Sequence, residues 1–177
     1  MLRSLAEPLP EPGGGRLRRV RRSDLEALSE IIYASHVGST DAALNTTYAS
    51  RRHCRHFVET LVLRSGCGPF DSGASFVAES AGRPVGVLLA SQLSPSNGHI
   101  CQVSVEPRAQ GEGLGRALVS SALRSFAEQG LGVSSLSVTL DNTRAYRLYE
   151  RLGFRLSRRF AAHAWARPPD RVVLSRR

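Results

Sequence analysis

Lysine is absent from this chain of 177 residues, and all 24 of its cationic side chains are arginines. That absence excludes a lysine-dependent nucleotide loop, because a P-loop needs Gly-Lys-Ser/Thr after its glycines. Cysteine is scarce. Cys54, Cys67 and Cys101 are odd in number, widely spaced, and match no zinc or disulfide spacing. A reduced, cytoplasmic setting is the simplest expectation. Long apolar runs are missing too. The longest, around Val85–Ala90, falls far short of the roughly 20 residues a membrane helix needs. After Arg3 come Glu7, Pro8, Pro10, Glu11 and Pro12 instead of an apolar signal core, so secretion is not expected. Aromatic residues amount to 6% and form no ladder within the basic clusters Arg16–Arg22 and Arg151–Arg159. Without stacking platforms, the formal charge of +9 reads as solvated arginine from a GC-rich coding bias. Nucleic acid is therefore not an expected partner.

What is present is an ordinary globular composition, 41% hydrophobic and 22% charged, in a length that suits one domain. Residues 1–15 end in Glu-Pro-Gly-Gly-Gly and are expected to be a disordered tail, with a single domain over 16–177. Arg16–Val20 reads as a strand. Ser23-Asp24-Leu25-Glu26 has the form of a capping box, and Leu25, Leu28, Ile31 and Ile32 carry a helix to about Val37. Gly38–Thr47 reads as a polar connection. A second helix is expected over Ala49–Leu63, with Phe57, Leu61 and Val62 inward. Ser75–Glu79 and Pro84–Ala90 read as a hairpin across Ala81-Gly82-Arg83. Ile100–Val105 is the next strand. A helix follows over Gly113–Gln129, with Leu114, Ala117, Leu118, Ala122 and Phe126 on one face. Ser135–Leu140 alternates as a strand does, and Asn142–Leu152 is helical and stops at Gly153. Phe154–Ala161 and Arg171–Leu174 are expected to close the sheet. The order is that of a mixed α/β sandwich around one sheet.

The chemistry concentrates after Ile100–Val105. There the strand runs into Gln110-Gly111-Glu112-Gly113-Leu114-Gly115-Arg116 and then a helix. Glycines without Cβ let a ligand approach the backbone, and a helix start presents free N–H groups and positive potential. An anionic cofactor is implied. The dinucleotide fingerprint fails, since its third glycine would fall on Arg116. A different pattern fits. Gln110–Gly115 resembles the Arg/Gln-x-x-Gly-x-Gly/Ala loop of the GCN5-related N-acetyltransferases, and it follows a Val-x-Val-x-Pro strand end at Val103–Pro107. Downstream, Asn142–Phe154 resembles the family's Asn-x-x-Ala-x-x-Leu-Tyr-x-x-x-Gly-Phe helix.

The resemblance implies a mostly antiparallel mixed sheet with helices on both faces and its fourth and fifth strands splayed. It implies acetyl-CoA as acyl donor and an amine as acceptor, with no metal. The pyrophosphate would lie on the N–H groups of Gly111, Gly113, Leu114, Gly115 and Arg116, with the Arg116 guanidinium able to add bonds. Gln110 is either a cofactor contact or a solvated loop residue. The amide-rich pantetheine arm would pair with the main chain of Val103 and Val105 as an added strand does. Tyr149 matches the tyrosine that protonates the departing thiolate; its plain alternative is a core aromatic on the Ala145/Leu148/Leu152 stripe. Asn142 is either a cofactor contact or a helix cap. The general base is open among Glu79, His99, Glu106 and water. His53 and His56 read as a solvated helix face. A non-catalytic acyl-CoA sensor is the alternative function, and a homodimer is left open. The acceptor should be set by the first two helices, Gly66–Gly73 and the segment His163–Asp170.

Overall fold

The computed structural model describes residues 1–161. Six strands form one sheet: β1 (Leu2–Ser4), β2 (Arg16–Arg19), β3 (Phe76–Ser80), β4 (Arg83–Ser94), β5 (Asn97–Val105) and β6 (Val133–Leu136). Five α-helices accompany them: α1 (Leu25–His36), α2 (Thr40–Leu44), α3 (Arg51–Arg64), α4 (Leu114–Glu128) and α5 (Thr143–Arg151). The sheet order is β1-β6-β5-β4-β3-β2. Only β5 and β6 are parallel; every other neighbouring pair is antiparallel. The expected mixed sheet with a helix layer on each face is what the chain forms.

Strand alternation divides the core between the two faces. Val77, Val87 and Leu89 face α1 and α3, against Leu28, Ile31, Ile32, Cys54, Val58 and Leu61. Phe76, Ala78, Leu88, Ala90 and Ile100 face the other way, against Leu118, Ala122, Leu123 and Phe126 of α4. The expected α4 face is buried throughout. On α3 the inward row is instead Cys54, Val58 and Leu61, with Phe57 and Val62 only flanking it. Phe126 is fully buried, and a Cβ at Gly98 would stand 2.5 Å from its ring. Glycine at this point of β5 is thus what lets α4 close on the sheet.

Five local expectations are corrected. The segment 1–15 is not a disordered tail throughout. Leu2–Ser4 pair antiparallel with Ser135–Val133, and Leu2 also bridges Arg155. Leu5 is buried in the core, and the buried Arg3 guanidinium donates to the Leu152 carbonyl at the end of α5 at 2.5 Å. Proline and glycine downstream do not weaken a strand that precedes them. Ser23 does not cap the first helix; Asp24 holds the N-cap position of α1 without a side-chain cap bond, and its carboxylate instead accepts from the Arg21 N–H at 2.8 Å in the preceding 3₁₀ turn while paired with Arg18. Gly38–Thr47 is not a bare connection, because Ser39 caps the short helix α2 through the Ala42 N–H. The strand expected over Ser135–Leu140 ends at Leu136, and Phe154–Ala161 contributes one bridge at Arg155. The expected strand Arg171–Leu174 and the segment His163–Asp170 lie outside the described residues. No helix among the described residues is long and apolar enough to cross a membrane.

Candidate active site

The glycine loop is built to leave donors free. After Val105, a 3₁₀ turn at Pro107–Ala109 turns the chain into Gln110-Gly111-Glu112-Gly113. Gly111 and Gly113 take φ of +95° and +81°, the left-handed region that L side chains resist. Gly113 begins α4 without any side-chain cap. The first α4 backbone donor with a partner is Ala117, which bonds the Gly113 carbonyl at 3.0 Å. From Gly111 to Arg116, no N–H has a partner among the described residues. Nothing stands within 4 Å of a Cβ built at Gly111 or Gly113, so the space over the loop is open. Uncapped N–H groups facing open space make an anion cradle.

The second element is a gap in the sheet. β5 pairs with β6 only from Asn97 to Ile100. Beyond that, Gln102–Val105 stays bonded to β4 on one side and has no strand on the other among the described residues. This is the expected splay, found between β5 and β6 because Leu2–Ser4 adds a first strand to the count expected from the sequence. A register irregularity opposite Leu89/Ala90 bends β5 where β6 leaves it. The gap opens into a cavity of about 900 Å³ that also takes in the glycine loop. Val103, Val105, Gln110, Gly111, Gly113, Leu114, Gly115, Arg116, Asn142 and Tyr149 all line it. The expected cofactor-binding residues and Tyr149 are thus brought to one space.

Two of these residues have structural duties there. Gln110 donates to the Val105 carbonyl at 2.9 Å and accepts from Arg144 at 2.6 Å, tying the end of β5 to α5. Asn142 caps α5, its Oδ1 accepting from the Ala145 N–H at 3.2 Å. Its Nδ2 meets Asp41 at 3.3 Å. Tyr149 is both a core aromatic and a cavity residue. It packs edge-to-face on Phe154 with centroids 5.9 Å apart, and only 8% of its surface is exposed. Its hydroxyl has no hydrogen-bond partner among the described residues. Burial pushes the phenol above its ordinary pKa, and the Tyr48 and Asp41 groups push in the same direction. Tyr149 therefore holds its proton firmly at neutral pH.

The base candidates read from the sequence lie elsewhere. Glu79 is paired with Arg18 at 2.6 Å and with Arg16 at 3.3 Å. Glu106 holds Arg83 through both carboxylate oxygens. His99 shares a hydrogen bond with Ser135 at 2.9 Å, and burial lowers its pKa. None of the three lines the cavity. The opposite wall is formed by residues that the sequence did not single out, namely Ser35, His36, Ser39, Thr40 and Asp41. His36 stacks on Tyr48 with centroids 3.8 Å apart, and its Nδ1 meets the Ile32 carbonyl at 2.8 Å. The Ser35 hydroxyl lies 2.9 Å from the same Nδ1, so this nitrogen is engaged by both groups. Tyr48 donates to Gln102 at 2.9 Å, and burial raises its pKa to about 12. No sequence spacing marked these residues, because α2 is only one turn and a half long.

Comparison with known proteins gives a consistent result. The model of the "Acetyltransferase (GNAT) family" matches residues 41–154. A mycothiol acetyltransferase of Beutenbergia cavernae is 35% identical over 159 residues, covering 85% of this chain and 48% of the relative. One from Gordonia bronchialis is 38% identical over 99 residues, covering 54% of this chain and 32% of the relative. The chain thus spans about half the length, or less, of these curated relatives. Among solved structures, the PaiA N-acetyltransferase of Thermoplasma acidophilum in complex with coenzyme A superposes with a TM-score of 0.66 at 16% identity, over 84% of this chain and 94% of that one. The ribosomal-protein-alanine N-acetyltransferase of Brucella melitensis gives 0.61 at 26% identity, over 79% and 84%. A free-donor glycine loop, a parted strand pair and a buried tyrosine meet in one cavity inside the matched segment, and the chain belongs to the acetyltransferase (GNAT) family.

Proposed function

We propose that this protein is an N-acetyltransferase that moves the acetyl group of acetyl-CoA directly to a primary amine in a ternary complex. The observation that carries the reading is the continuity of one cavity from the uncapped N–H groups of Gly111–Arg116, along the unpaired edge Gln102–Val105, to Tyr149. The loop N–H groups and Arg116 bind the pyrophosphate, and the free edge at Val103 and Val105 takes the pantetheine amides. That places the thioester beside Tyr149. As the amine nitrogen bonds to the acetyl carbon, the carbon–sulfur bond breaks and the Tyr149 hydroxyl gives its proton to the sulfur. The proton shed by the amine leaves to water or to a cavity base, and solvent restores the phenol. A phenol whose proton is held by burial suits a general acid for a thiolate. No covalent acyl-enzyme is needed, and a cytoplasmic setting belongs to the same reading.

The relatives' name makes the unacetylated form of mycothiol the first acceptor to try. The ribosomal-protein-alanine N-acetyltransferase neighbour makes an alanine-initiated peptide the second. The test is release of free thiol from acetyl-CoA in the presence of each amine. Thiol release that depends on the amine supports the enzyme. Tight coenzyme A binding with no release on any amine would favour the non-catalytic acyl-CoA sensor.

A further inference from the structure

Two carboxylates line the cavity, Asp41 and Asp141, and Asp41 is the one held by two side-chain donors. Asp41 lines the cavity together with Tyr149. Its Oδ1 accepts from the Thr139 hydroxyl, and its Oδ2 from Asn142 Nδ2 at 3.3 Å. Both partners are neutral. Elsewhere the arginine excess is used freely. Glu11, Asp24, Glu30, Glu59, Glu79 and Glu106 each hold an arginine within 3.3 Å. Asp41 holds none among the described residues, and neither does Asp141 in the same cavity. A carboxylate beside buried phenols, oriented by two neutral donors, offers its charge to whatever enters the cavity. That charge is felt by Tyr48 and Tyr149, both of which it helps to keep protonated. Asp41 therefore shares one cavity with the group placed at the reacting sulfur.

We propose that Asp41 receives the ammonium group of the acceptor, so that the site selects cationic primary amines over neutral molecules of the same shape. The proposal rests on the acetyltransfer reading above and names the residue that decides its acceptor class. Thr139 and Asn142 hold the carboxylate in place. Asn142 links the two ends of the cavity, since the same side chain caps the helix that carries Tyr149. An ammonium against Asp41 is paired before it sheds its proton, and it approaches from the wall opposite the glycine loop. Arginine on this wall would compete for the carboxylate, which gives a reason for its absence from the cavity-lining residues of α1 and α2.

The experiment compares wild type with Asp41→Asn, using glucosamine and an alanine-initiated peptide as amines, with glucose and the matching lactyl peptide as neutral isosteres. Calorimetry on the coenzyme A complex reads binding, and thiol release reads KM. Wild type should bind amine at least tenfold more tightly than isostere. Asp41→Asn should abolish that preference and raise the amine KM at least tenfold, with coenzyme A affinity within twofold of wild type. Asp41→Glu keeps the charge and should keep the preference, so it reads the same question if Asp41→Asn does not fold. Equal weakening of amine and isostere, or an unchanged preference, would overturn the proposal and leave Asp41 as a strut for Thr139 and Asn142. Absence of thiol release from wild type would count against the catalytic reading alone, because the binding preference is read without turnover.

Discussion

The two walls of the cavity are made differently. The wall from Val103 to Arg116 works through its main chain: an unpaired strand edge, two glycines at positive φ and a helix start without a cap. The wall from Ser35 to Asp41 works through side chains, a stacked imidazole and an arginine-free carboxylate. A main-chain site needs particular residues only where conformation or space demands them, so its pattern is short and rigid. A side-chain site can be assembled from any residues that the fold happens to bring together. In the proposed reaction the cofactor end is therefore fixed by geometry that tolerates little change, and the acceptor end is free to differ between related chains.

The largest effect is expected where the walls meet. Tyr149→Phe keeps the packing on Phe154 and removes only the acid. It should lower kcat by about 100-fold or more, with acetyl-CoA affinity unchanged. Unaltered turnover in a steady-state thiol assay would remove Tyr149 from the mechanism and leave it a core residue. Beneath the cofactor wall, Gly98→Ala forces a methyl against the Phe126 ring and should cost about 1–3 kcal/mol of stability. Thermal unfolding would show this as a lowered Tm, with kcat intact in the protein that remains folded. On the loop itself, Gly113→Ala meets no steric contact but must hold a left-handed φ, at about 1–2 kcal/mol. Calorimetry should record roughly tenfold weaker coenzyme A binding. The acceptor-wall change Ser39→Ala should leave that binding alone, and equal losses on both walls would erase the contrast between them.

The smallest effect concerns His99, which belongs to neither wall. Its folded pKa is lowered, chiefly by burial, so the unfolded chain binds its proton more readily. The stability it contributes is present above the unfolded value of about 6.5 and is lost as pH falls through the lower folded value. Denaturant midpoints measured from pH 7 down to 5 should fall, and His99→Gln should flatten that fall. Activity changes beyond those explained by stability would return His99 to the list of bases.

Much of the cofactor wall was legible in the sequence because its constraints are local. Gly111, Gly113 and the tight helix start after Val103–Pro107 leave a fixed spacing, and the Asn142–Phe154 helix repeats its apolar stripe at i, i+3 and i+4. The exit of β6 after Leu136 was not legible. Val138 and Leu140 continue its alternation, yet β5 has already parted from it, so no hydrogen-bond partner remains. Leu2–Ser4 escaped notice because three residues carry too little pattern. Their pairing depends on β6, about 130 residues away in sequence. Glu79 and Glu106 looked like candidate bases because proximity in sequence to a cavity strand says nothing of Arg18 and Arg83, which occupy them.

By itself the sequence determined the anion cradle, the tyrosine that follows it and the family's order of elements. These rest on backbone conformation and helical period, which are properties of neighbouring residues. Only the tertiary structure decided that Asp41 shares a cavity with Tyr149, that His36 Nδ1 is engaged by Ser35 and Ile32, and that Glu79, Glu106 and His99 are engaged elsewhere. Those outcomes depend on which polar groups meet between distant parts of the chain, as Asp41 meets Thr139 and Asn142 about 100 residues on. No local period records such a meeting, because it is fixed only when the two faces of the sheet have packed.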